Sequence, residues 1–133
     1  MAADTAAFRG NTMVCGIRKV DRREDGTLVG AVGNAGFCAA FRKWVVDGEK
    51  GEAPEPMDSD DGCDAGLIAR PAGPLEVHEQ GGVLSLDVPY YALGAGRDQA
   101  LGAMFAGAPP QVAVAAAIAH DIYTGGDITV VCR

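Results

Sequence analysis

The feature that most constrains this chain is how its strand-like and helix-like segments are sorted along it. Four short apolar runs, 65–70 (AGLIAR), 75–79 (LEVHE), 83–88 (VLSLDV) and 90–94 (YYALG), follow one another with Pro- and Gly-bearing turns between them. Two helix-like stretches come next. GRDQALGAMF, 96–105, sets Ala100, Leu101, Met104 and Phe105 on one side, and a second stretch starts at Pro109–Pro110 and runs to about Tyr123. Thr124, Gly125 and Gly126 end it, and DITVVC, 127–132, reads as a final strand. Strands gathered before helices, with little strand–helix–strand alternation, predict an α+β domain with helices layered on antiparallel sheet.

The amino-terminal part adds two strands and a helix. NTMVCGIRKV, 11–20, alternates loosely, DRREDG, 21–26, is a charged turn, and LVGAVGN, 28–34, has the look of a buried strand approached closely by another backbone. FCAAFRKWVV, 37–46, places Phe37, Cys38, Phe41, Trp44 and Val45 at helical spacing, a face expected to be core, and Gly48 stops that helix.

A length of 133 residues suits one compact domain, and 48% hydrophobic residues supply a core. With 19 Gly and 23 Ala, tightly stacked layers are expected rather than a core of large aromatics, which make up only 6%. The net charge of -7 disfavours nucleic acid and anionic lipid as partners. No apolar run approaches the roughly 20 residues of a membrane span. The amino terminus lacks a basic start and an apolar core segment, so no signal peptide is expected and a reducing cytosol is the expected compartment. Cys15, Cys38, Cys63 and Cys132 form no CxxC pair. Cys38 and Cys132 lie in apolar stretches, where a thiol behaves as a small hydrophobe.

From Asp47 to Asp64 the chain turns acidic: Asp47, Glu49, Glu52, Glu55, Asp58, Asp60, Asp61 and Asp64 stand against one lysine, with Pro54 and Pro56 between. This predicts a solvated loop. Its DSDDGCD stretch fails as a calcium loop, because the required glycine is Cys63 and the closing glutamate is Ala69. Elsewhere no spacing announces a reaction. Ser59 and Ser85 lack a GxSxG setting, His78 and His120 have no evident acid partner, and the glycines at 94, 96 and 102 do not form GxGxxG. No metal or cofactor is expected.

Several pieces in order carry more. AADT at 2–5, KV at 19–20, GAVGNAGF at 30–37, YYALGAGRDQALGAM at 90–104 and HDIYTGGDITVV at 120–131 together resemble the proteasome β-subunit and bacterial HslV peptidase family, and most nearly the small proteasome-like proteins encoded by phages and prophages. The resemblance implies a four-layer α-β-β-α sandwich of the N-terminal-nucleophile hydrolase type. It also implies a threonine nucleophile at the mature amino terminus whose own α-amine serves as base. By motif, Asp4 matches the family's first aspartate and Lys19 the lysine that stabilises anionic forms. Asp121 matches the aspartate at the end of the late helix, and Thr124 the hydroxyl residue before the glycines. Read without the family, Asp4–Lys19 is a structural ion pair and Asp121–Thr124 a polar helix end.

Departures from the family weigh against catalysis. Met1 stands three residues before Asp4, so the opening strand and its threonine are absent from the sequence. Ala2 has no hydroxyl, a cut exposing Thr5 would discard Asp4, and Ala95 stands where the family carries a serine. The expectation is a degenerate, non-catalytic structural or assembly subunit, in the cytoplasm or in a virion. Its partners would be copies of itself or other protein subunits. Two alternatives stand beside it: a threonine-type peptidase whose nucleophile-bearing strand is missing, and an unrelated α+β binding domain.

Overall fold

A computed structural model gives the fold and describes residues 1–59 and 62–133. The chain begins with β1 (Ala2–Asp4), β2 (Ala6–Arg9), β3 (Thr12–Gly16), β4 (Val20–Arg22) and β5 (Leu28–Val32), followed by α1 (Ala35–Val46). Next come the two-residue strands β6 (Asp58–Ser59) and β7 (Gly62–Cys63), then β8 (Ala65–Ala69), β9 (Leu75–Glu79) and β10 (Gly82–Leu86). Helices α2 (Arg97–Phe105) and α3 (Pro110–His120) precede β11 (Ile128–Val130). The molecule is α+β, and every strand pair is antiparallel.

The main sheet has five strands in the order β10-β9-β8-β5-β4. Its two faces bury different partners because side chains alternate along each strand. Val29, Ala31 and Ile68 meet Phe37, Phe41 and Val45 of α1 on one face. Leu28 and Ala69, joined by Val20, meet Met1, Ala3 and Val131 on the other. Gly66 is required on the α1 face, because a Cβ there would lie 2.2 Å from the Phe41 ring. Asn34 caps α1, its side chain accepting from the Gly36 amide.

The strands of the second unit are few. Among the described residues β1 pairs with β11 alone, and β2 with β3 alone. Helices α2 and α3 pack on each other, and α3 rests on β1 and β11. α3 is apolar around its whole circumference, yet only Ala113 and Ala117 are buried, and Phe105 at the end of α2 is 84% exposed.

Several expectations are corrected. The strand expected over 11–20 is two strands, β3 and β4, because the chain leaves β3 at Gly16 and joins the main sheet at Val20. The strands β1 and β2 were not anticipated. No strand forms over 90–94: Pro89 lacks a ladder donor and residues 89–93 run without regular pairing. α3 stops at His120 rather than Tyr123, since the Asp121 carboxylate takes the Tyr123 amide and diverts the backbone from the helix. Of Ala100, Leu101, Met104 and Phe105, only Ala100 is buried, and Phe105 at the helix end is exposed. Cys38 is buried, and its thiol is pushed up to about 11, chiefly by burial and then by Asp64. Cys132 is exposed.

Most described residues of the acidic segment are exposed, while the carboxylates of Asp64 and Glu49 are held by partners. Asp64 is 8% exposed and accepts from the Asn34 amide at 2.6 Å and the Met57 amide at 3.3 Å. Glu49 accepts two bonds from Arg70 and one from Arg23, and these guanidiniums hold its carboxyl below the usual range. Asp60 and Asp61 lie outside the described residues. Among the described residues, no helix is long and apolar enough to cross a membrane.

Candidate functional site

β1 ends at Asp4 beside the loop that follows α3, and the four motif residues converge there. Lys19, just before β4, donates from Nζ to Asp4 Oδ1 at 2.8 Å. Side chains of the pair are 18% and 13% exposed, so each charge needs the other in a partly dehydrated site. The second carboxylate oxygen, Oδ2, accepts from the Gly125 amide at 3.1 Å and the Ala6 amide at 3.2 Å. Asp4 therefore ties together β1, the approach to β4 and the loop after α3.

The other pair is formed within that loop. Thr124 Oγ1 donates to Asp121 Oδ2 at 2.6 Å, and the same oxygen accepts from the Tyr123 amide at 3.0 Å. The two pairs are one peptide apart: Thr124 precedes Gly125, whose amide reaches Asp4. All four residues singled out by motif thus form one continuous network.

Glycine makes this closeness possible at two positions. At Gly96, before α2, a Cβ would lie 2.6 Å from Ala117 Cβ and 2.7 Å from Thr124 Oγ1. Gly126 has φ +75, and a Cβ there would meet Thr5 Oγ1 at 2.6 Å.

Thr5 and Asp127 were not assigned to this site from the sequence. Thr5 Oγ1 accepts from the Asp127 amide at 2.9 Å, and the Ile17 amide donates to the Thr5 carbonyl at 2.7 Å. Beside them opens a cleft of about 540 Å³ lined by Thr5, Ile17, Arg18, Asp127 and Thr129. The available signal was the position of Thr5 directly after Asp4 in AADT. Tyr123, also unassigned, donates from its hydroxyl to Asn11 Oδ1 at 2.9 Å and sets its ring edge-on to Phe8.

His78 does have an acid neighbour that its sequence setting did not reveal. Glu76 Oε2 lies 3.8 Å from Nε2, reached because residues two apart on β9 share a face. His78 sits among Phe41 and Trp44, and burial lowers its pKa against the pull of Glu76.

Chemically, the Asp4–Lys19 pair is a fixed, internally neutralised charge with an ammonium available to stabilise a nearby anion. Two hydroxyls stand beside it. That of Thr5 receives a backbone amide, and that of Thr124 is held by Asp121.

No family profile matches the sequence, and no curated protein does. Solved structures do match. Thiobacillus denitrificans BPH in complex with epoxomicin superposes with a TM-score of 0.69 at 23% identity, over 96% of this chain and 88% of that one. A second structure of Thiobacillus denitrificans BPH gives 0.68 at 24% identity, with the same coverage. At this identity the likeness speaks to architecture alone: this chain shares the fold of Thiobacillus denitrificans BPH.

Proposed function

We propose that this chain is a degenerate, non-catalytic member of the proteasome β-subunit and HslV group, serving as a structural or assembly subunit. Its layering is then α1, the five-stranded sheet, the β1–β11 ribbon and the α2–α3 pair, a four-layer α-β-β-α sandwich with a depleted second sheet. The packing of α1 and of β1–β11 on opposite faces of the main sheet supports this reading. The observation that carries the functional half is the state of the Asp4–Lys19 network. The charges neutralise one another, Asp4 Oδ2 is taken by two backbone amides, and neither adjacent hydroxyl bonds Lys19. Such a network holds the loop after α3 against β1 and performs no bond cleavage.

The test is direct. The purified 133-residue chain, with native circular dichroism, is assayed with fluorogenic peptides and incubated with epoxomicin. No turnover and no retained compound are expected. Turnover by this polypeptide, lost on Lys19→Ala while the fold persists, would overturn the proposal.

One observation favours a second reading, a threonine-type peptidase in a longer form of the chain. Among the described residues Lys19 has Asp4 as its one carboxylate partner, leaving ammonium protons to stabilise an anionic nucleophile supplied by further residues. Intact mass of the natively expressed protein, with the identity of its first residue, separates the two readings.

A further inference from the structure

The ribbon β1–β11 is open along β11, and its hydrogen-bonding register defines which groups are free. Met1 and Val131 exchange both backbone bonds, Met1 N to Val131 O at 2.7 Å and Val131 N to Met1 O at 2.9 Å. Backbone groups alternate in direction along an antiparallel strand, so Thr129 and Val131 face β1 while Ile128, Val130 and Cys132 direct theirs outward. Residues 128–132 along that edge include no proline and no charge, the devices by which proteins ordinarily blunt exposed edges. Ile128 is 37% and Val130 47% exposed.

We propose that β11 pairs antiparallel with β11 of a second copy of this chain, joining two ribbons into one four-stranded sheet about a two-fold axis at Val130. The inference rests on the assembly-subunit reading above and names the partner surface. The register follows from charge and direction together. Pairing Val130 with its own copy puts Ile128 opposite the partner's Cys132, so every outward-directed backbone group meets another. The same register puts Asp127 opposite the partner's Arg133, twice, by symmetry. Among the described residues the Asp127 carboxylate makes no ion pair, and the Arg133 guanidinium bonds only the Arg70 carbonyl. Asp127 and Arg133 lie on one face of the strand, as opposed residues must to meet. Of the two edge strands of the main sheet, β10 offers no such match, residues 79–87 containing Glu79 and Asp87 and no cation, and on β4 Asp21 is already paired with Arg18 and Arg42.

Sedimentation velocity across a concentration series, combined with charge reversal and cross-linking, tests the register. The native chain is expected to dimerise reversibly. Asp127→Arg sets like charges together at both ends and should weaken the dimer about tenfold or more, and adding Arg133→Asp should recover most of the loss. Ile128→Cys faces the partner's Cys132 at about 5.5 Å between Cα atoms, within disulfide reach. Mild oxidation should give a dimer with a 128–132 linkage, absent when Cys132→Ser is added. Within one chain these positions are about 13 Å apart and cannot bridge. A chain that stays monomeric throughout sinks this proposal and leaves the assembly reading, which also admits other protein subunits, standing. An oligomer indifferent to Asp127→Arg and without the 128–132 linkage sinks the register alone, and peptide turnover sinks the non-catalytic reading alone.

Discussion

Lys19 and Asp4 show what a single contact does in a partly dehydrated place. Lys19→Ala leaves the Asp4 carboxylate with its two amides but without a counter-charge, and should destabilise the fold by about 1–3 kcal/mol in urea denaturation. A structural pair predicts that loss with no change in any activity. Gly96 acts through volume instead. Gly96→Ala forces a methyl against Ala117 and Thr124 and should cost about 1–3 kcal/mol, because packed side chains absorb added volume poorly. His78 acts through protons. Burial lowers its folded pKa below the ordinary histidine value of 6.5, so the unfolded chain binds more protons as the pH falls past that value. Its contribution is intact above about pH 6.5 and is lost progressively below it. Thermal unfolding between pH 7.5 and 5.5 should show a falling melting temperature that is shallower in His78→Phe.

At the scale of elements, α1 and the centre of the main sheet hold the best-buried side chains: Phe41, Val45, Val29, Ile68 and Val77 are fully enclosed. Phe41→Ala should cost about 3–5 kcal/mol, with the cavity left against Gly66 adding to the lost burial. The β1–β11 ribbon stands at the other extreme. A two-stranded ladder is weak alone, and this one leans on Val20, Leu28 and Ala69 through Met1, Ala3 and Val131. Hydrogen exchange by mass spectrometry should find β5 and β8 slowest, and β1 and β11 protected far less in dilute solution. Sequence reading located β5, α1, β8, β9 and α2 to within a residue or two, because their periodicity or flanking glycines are strong. It missed β1 and β2, whose alanines carry no pattern, and it extended α3 because the Asp121 turn competes with helix only through its side chain.

For the whole molecule, ion pairs stitch distant parts of the chain. Arg70 on the far side of β8 grips Glu49 after α1 and Glu76 on β9, and Arg23 reaches Glu49 from the turn before β5. Since the folded Glu49 pKa is depressed, this link is fully present above about pH 4.5 and is lost as the pH falls through the folded value. Acid titration of Glu49→Gln should therefore be flatter below pH 4.5 than that of the native chain. Phe105 at the end of α2 and Val112 on α3 are 84% and 50% exposed, so the helix pair turns apolar side chains to solvent.

By itself, the order of residues determined the α+β class and the α1 core face, since each depends on local pattern. Only the tertiary structure decided that Asp4 serves Lys19 and the Gly125 amide at once, and that Asp64 is buried. It also decided that β11 keeps an open edge. Those outcomes turn on which segments meet in space, and a pairing across more than a hundred residues leaves no periodic trace in the chain that makes it.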